Sequence, residues 1–110
     1  MKLSFILCAL FVLGCGHDEG GIDDVVGKAC ASDRDCDSNC YLGGDFPGGF
    51  CSLPCDSDLA CPSDTYCMAE AGGVCMFACD AFDCARLGAG WECRERDRRG
   101  GGKAYVCSGG

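Results

Sequence analysis

The chain has 110 residues, 14 of them cysteine, and its 17 acidic and 9 basic residues give a formal charge of -8. That much cysteine excludes an ordinary domain held by its apolar core and marks a small disulfide scaffold. The acidity excludes a general nucleic-acid binder. Between Cys30 and Cys107 the only Leu, Ile or Val side chains are Leu42, Leu53, Leu59, Val74, Leu87 and Val106. Six such groups cannot offset an ordering cost of roughly 1–2 kcal/mol per residue. Cross-links contributing on the order of 2–4 kcal/mol each must supply the difference. Disulfides persist in oxidising compartments, so composition alone predicts export.

The first element in chain order agrees. Lys2 precedes an apolar run over residues 3–13, LSFILCALFVL. A membrane-spanning helix needs about 20 residues, so this run is too short to span but suits the hydrophobic region of a signal peptide. It ends in Val12-Leu13-Gly14-Cys15, which resembles the bacterial lipobox, with Val12 where Leu is more usual. The resemblance implies that residues 1–14 are a lipoprotein signal peptide and that Cys15 is acylated, becomes the mature N-terminus and anchors the chain to a membrane. Gly16 stands where some Gram-negative lipoproteins carry Asp as an inner-membrane retention signal, so the outer membrane is the expected location. The alternative is an ordinary signal peptide cut after Gly16, giving a secreted protein. Either way Cys8 leaves with the leader, and twelve cysteines from Cys30 onward remain to close six disulfides.

Residues 15–29 are expected to form a flexible Gly/Asp tether reaching roughly 20 Å. The cysteine-rich domain, 30–107, falls into three sets of four: Cys30, Cys36, Cys40, Cys51; Cys55, Cys61, Cys67, Cys75; and Cys79, Cys84, Cys93, Cys107. The units 30–51, 55–75 and 79–107 start 24 or 25 residues apart, which signals a repeat array; residues 108–110 form a tail. Ser32-Asp33 and Ser57-Asp58 precede the second cysteine of the first two units, and aromatics recur at Phe50, Tyr66, Trp91 and Tyr105. The expected fold is a small disulfide-rich, irregular array of three four-cysteine units with little helix outside the signal peptide. Short β-ribbons are expected near 50–52, 74–76 and 104–107, with turns at Gly43-Gly44, Pro47-Gly48-Gly49, Pro62-Ser63-Asp64 and Gly72-Gly73. Four cysteines allow three pairings per unit. The interlocked one, first to third and second to fourth, is preferred, and bonds across unit boundaries stay open.

The pattern Cys-x5-Cys-x3–5-Cys-x7–10-Cys-x3-Cys, with Ser-Asp before the second cysteine, resembles the cysteine-rich repeats of bacterial surface lipoproteins. It is also similar in style to the N-terminal cysteine-rich domain of the dickkopf secreted proteins. The third unit departs from it through its x4 first gap, its x8 second gap and its long final loop. The resemblance implies an extracellular module used for binding or surface structure and supplies no site residues.

No catalytic constellation is visible. Zinc sites favour paired Cys-x2–4-Cys or histidines; Cys36-x3-Cys40, Cys51-x3-Cys55 and Cys75-x3-Cys79 fit the spacing, but the only histidine is His17. Neither a metal nor a cofactor is expected. Asp33, Asp35, Asp56, Asp58, Asp80 and Asp83 read as turn-forming acids, with loop calcium binding as the sharper alternative. From Cys15 to Cys93 fifteen acids face only Lys28, Arg34 and Arg86. The bases then concentrate in Arg94, Arg96, Arg98, Arg99 and Lys103, inside the longest inter-cysteine loop. That loop is expected to be mobile and solvated, or to be a contact patch for acidic polymer, phosphate or a neighbouring acidic module.

The expected function is therefore that of a non-enzymatic cell-envelope lipoprotein whose disulfide-stapled loops contact protein or glycan. The alternative is a freely secreted inhibitor or toxin-like protein.

Overall fold

A computed structural model describes residues 21–110. The expected signal peptide, Cys15, His17 and the first part of the tether lie outside the described residues. Within them the chain is a small disulfide-rich fold of three antiparallel hairpins. β1 (Asn39–Tyr41) pairs with β2 (Phe50–Ser52), β3 (Thr65–Met68) with β4 (Val74–Phe77), and β5 (Glu92–Asp97) with β6 (Lys103–Ser108). The three expected ribbons are the second strands of these hairpins. Each hairpin follows a short 3-10 turn, at Asp33–Asp35, Asp58–Ala60 and Cys84–Leu87.

The disulfides explain why so little regular structure suffices. In every hairpin the third and fourth cysteines face each other across the ladder: Cys40 opposite Cys51, Cys67 opposite Cys75, Cys93 opposite Cys107. They do not bond to each other. The third reaches back to the first (Cys30–Cys40, Cys55–Cys67, Cys79–Cys93) and the fourth to the second (Cys36–Cys51, Cys61–Cys75, Cys84–Cys107). Each hairpin is thus stapled twice to the turn before it, in the interlocked pattern preferred from sequence. The bonded residues lie 10 to 23 positions apart, a range in which each bond removes about 3 kcal/mol of unfolded-state entropy.

The repeat has a further strand that cysteine spacing does not reveal. In the second unit the residues leading into the first cysteine pair with the strand carrying the last: Cys75 N–H donates to Leu53 O at 3.2 Å and Cys55 N–H to Gly73 O at 3.2 Å, around a Pro54–Val74 bridge. The third unit repeats this with Cys79 N–H to Tyr105 O at 3.2 Å and an Ala78–Val106 bridge. In the first unit Cys51 N–H donates to Lys28 O at 2.8 Å and Gly27 N–H to Cys51 O at 2.9 Å. The lead-in of unit one therefore comes from the stretch expected to be tether, which corrects that expectation over residues 21–29. Here the backbone is held by the domain. Asp23 Oδ1 accepts the Val25 and Val26 amides at 2.9 Å, Val26 is buried, and Gly27 (φ +109°) passes so close to the Phe77 ring that a Cβ would crowd it.

Aromatic rings compensate for the scarcity of aliphatics. Phe46 and Phe50 stack at 6.0 Å, Phe50 meets Trp91 at 5.0 Å, and Phe77 stacks on Phe82 at 4.0 Å. With Val26, Met68, Val74, Met76 and Val106 these rings form one core fed by all three units. Trp91 also donates its indole N–H to Pro47 O at 2.8 Å, satisfying the one polar group its burial would strand. Gly109 N–H bonds Asp45 O at 2.8 Å, so the end of the third unit is tied to the first.

Candidate functional site: the basic hairpin and its clefts

Residues 94–103 form the outer part of the β5–β6 hairpin and the turn closing it. Arg98 N–H donates to Gly102 O at 2.8 Å and Gly101 N–H to Arg98 O at 3.1 Å; Gly101 and Gly102 have φ of +108° and +80°, a region in which glycine is at little cost. The turn lies along the second unit: Ala69 N–H donates to Asp97 O at 2.9 Å and Arg99 N–H to Cys67 O at 3.0 Å. The expected mobile, solvated loop is thus a docked hairpin.

All five predicted bases have partners within the chain. Arg94 pairs with Glu92 at 3.0 Å and Lys103 with Asp97 at 2.7 Å, both inside the third unit. Arg96 reaches Asp45 of the first unit at 3.3 Å, Glu70 of the second at 3.6 Å and Gly109 O at 2.8 Å. Arg98 pairs with Asp58 and lies over the Tyr66 ring, 4.6 Å from its centroid. Arg99 donates to Cys55 O at 2.9 Å and pairs with Asp56 at 3.3 Å. Exposed ion pairs are worth only about 0–1 kcal/mol each, so the backbone bonds and the Arg98–Tyr66 contact carry much of the docking. Arg96, Arg98 and Arg99 thus meet acids of neighbouring units, while Arg94 and Lys103 stay within their own.

The candidate calcium ligands also have structural work. Asp33 Oδ1 accepts the Cys40 amide at 2.8 Å, and Asp58 Oδ1 accepts the Cys67 amide at 2.8 Å. These are the same position in two repeats, three residues before the second cysteine, and Ala81 replaces it in the third. Asp35 accepts the Ala31 and Ser32 amides at 2.9 and 3.3 Å, which holds its carboxyl below the ordinary aspartate value. Asp83 accepts the Ala85 amide at 3.1 Å. The Lys103 ammonium lowers the Asp97 carboxyl and is itself raised by it. Asp80 alone of the six has a carboxylate with no hydrogen bond or ion pair among the described residues.

Three groups of cysteine sulfurs converge within 4.8 Å: Cys30, Cys36 and Cys40; Cys55, Cys61 and Cys67; and Cys79, Cys84 and Cys107. Each is where two interlocked disulfides pass one another, and a disulfide sulfur offers no thiolate to a cation. Two open clefts flank the docked turn. One of about 640 Å³ runs between Pro54, Leu59, Ala71 and Arg99, with Leu59 98% exposed at its rim. The other, of about 460 Å³, lies between Tyr66 and Tyr105, with Asp80, Arg98 and Lys103 around it.

Sequence reasoning missed the partners Asp45 and Glu70, the buried Phe46, Phe77 and Phe82, and the Asp33/Asp58 role. The signal for the last was present, since both aspartates sit at one offset in two repeats. Comparison of the chain with protein families, curated proteins and solved structures finds no match.

Proposed function

We propose that the chain is an exported, non-enzymatic lipoprotein of the cell envelope, held at the outer membrane through acylated Cys15. Its docked disulfide units serve as a binding or structural module. The observation that carries the exported-scaffold part of this reading is the complete pairing of the twelve cysteines from Cys30 to Cys107 among themselves, while the anchor rests on Val12-Leu13-Gly14-Cys15. Such a scaffold requires an oxidising compartment, and it makes no demand on Cys15, which the lipobox-like sequence assigns to lipid. The non-enzymatic part draws support from Asp35 and Asp97, whose carboxyls are lowered by turn hydrogen bonds and a surface ion pair, unlike a desolvated reactive acid, which is raised.

Mass spectrometry of the mature N-terminus tests the anchor. The expected result is a diacylglyceryl mass on Cys15, with the protein partitioning into detergent and a Cys15→Ser variant remaining aqueous. A mature N-terminus beginning at His17, with no lipid, overturns it in favour of free secretion.

A further inference from the structure

The repeat breaks its own rule at one position. Two residues before the fourth cysteine, units one and two carry Gly49 and Gly73, both at positive φ. A Cβ there would collide with the carbonyl of the unit's first cysteine, Cys30 or Cys55. In unit three the equivalent residue is Tyr105, in β6. Its carbonyl still accepts the Cys79 amide, so the backbone contact of the repeat is kept while a large ring is added on the outside. Tyr105 is 60% exposed and faces Tyr66 across the 460 Å³ cleft, within the roughly 300–1,000 Å³ range of small-ligand sites.

The chemistry around the rings selects the ligand. Arg98 and Lys103 offer N–H donors at the rim, but their charges are already matched by Asp58 and Asp97. Asp80 adds a carboxylate without a partner among the described residues, able to accept two or more hydrogen bonds. The lining thus holds the exposed Tyr105 ring, the Tyr66 ring with Arg98 over it, donors, a free acceptor and no surplus positive charge. A phosphate or an acidic sugar would meet uncompensated repulsion at Asp80, and a cation would find that single carboxylate in the lining. A neutral pyranose fits, because it presents an apolar C–H face to an aromatic ring and a rim of hydroxyls that both donate and accept.

We propose that the Tyr66–Tyr105 cleft binds a neutral hexose unit of a polysaccharide, with Tyr105 stacking on the sugar ring and Asp80 accepting its hydroxyls. The site rests on the reading of the domain as a binding module and gives that reading a ligand class. It exists only because unit three is docked, since Tyr66 and Arg98 come from different units.

The test is saturation-transfer NMR on the purified mature protein in detergent, with maltohexaose, cellohexaose, laminarihexaose and mannohexaose as probes and hexagalacturonate as the acidic control. Saturation transfer to at least one neutral hexaose is expected, with Kd of about 1 mM or tighter. Tyr105→Ala should weaken it about tenfold or more, Asp80→Ala should weaken it too, and Tyr105→Phe and Leu59→Ser should leave it within about twofold. Amide spectra of each variant establish that it is folded. No transfer from any neutral hexaose, transfer from hexagalacturonate alone, or binding unaltered by Tyr105→Ala in a folded protein overturns the proposal. Binding by a chain found to lack lipid on Cys15 would count only against the anchor, and absence of binding by a lipidated chain only against this site.

Discussion

Asp58 accepts the Cys67 amide at 2.8 Å through Oδ1, while its other oxygen pairs with Arg98. One carboxylate thus closes the turn of its own unit and receives the hairpin of the next. Asp33 makes only the first of these bonds, to Cys40. Replacing Asp33 by Ala should cost about 1 kcal/mol, as loss of a side-chain cap does. Asp58→Ala should cost more, and should speed amide exchange at Arg99 as well as at Cys67. Denaturant melts with disulfides intact, together with hydrogen exchange, would decide the point; equal costs with Arg99 unaffected would show that Arg98 docks without Asp58.

The facing cysteines make connectivity a sharp measurement. Cys93 and Cys107 sit opposite each other yet bond to Cys79 and Cys84. Peptide mapping without reduction should find six bonds, each within a unit, in the first-to-third and second-to-fourth pattern. A Cys40–Cys51, Cys67–Cys75 or Cys93–Cys107 bond would contradict the fold.

Val26 is buried against the domain and Lys28 O is bonded to Cys51. Val26→Ala should therefore destabilise by about 2 kcal/mol, combining lost transfer energy with a small cavity. Although Lys28 is exposed, trypsin should cleave after it slowly in the native protein and readily in Val26→Asp. Rapid cleavage of the unmutated chain at Lys28 would restore the free-tether picture.

Trp91 reports on the shared core. With its ring buried and its indole bonded to Pro47 O, it should emit at short wavelength and shift red when the disulfides are reduced. Trp91→Ala should cost about 3–5 kcal/mol and loosen the first unit, which a purely local role in unit three would leave intact. Amide exchange over residues 46–51 would separate the two.

Acid and alkali act at different places. The Asp35 carboxyl is lowered by the Ala31 and then the Ser32 amide bonds, so its contribution is present above the ordinary value of 3.8 and is lost as pH falls through the lowered folded value. Asp97, lowered by its bond to Lys103, behaves the same way, while the raised Lys103 contributes below 10.5 and loses its effect as pH rises through its folded value. Side-chain NMR titration should find both aspartates below 3.8 and Lys103 above 10.5. Molar salt should shrink the exposed Asp97–Lys103 pair's displacements and leave that of Asp35 in place.

The cysteines made the architecture legible because their spacing repeats, and the strands at Phe50, Val74 and Ala104 could be placed from the flanking turn residues. The docking was not legible. Gly27 and Lys28 read as tether because no local pattern marks a strand only two or three residues long whose partner lies more than twenty residues ahead. Arg96, Arg98 and Arg99 read as solvated because their acids, Asp45, Asp56, Asp58 and Glu70, come from other units. Tyr105 was visible as a recurrent aromatic, but its departure from Gly49 and Gly73 acquires meaning only once the lead-in strand shows why glycine is needed there.

The interlocked pairing also decides where the chain can be severed. A cut anywhere from Cys30 to Cys51, Cys55 to Cys75 or Cys79 to Cys107 is bridged by at least one disulfide, so the fragments stay joined. Between Cys30 and Cys107 only the joints at residues 52–54 and 76–78 lack such a bridge. There Ser52, Met76, Phe77 and Ala78 are buried, and Leu53 is half-buried and hydrogen-bonded to Cys75. Packing shields the two joints that cross-linking leaves open between the units, so a protease can nick this domain more easily than it can divide it.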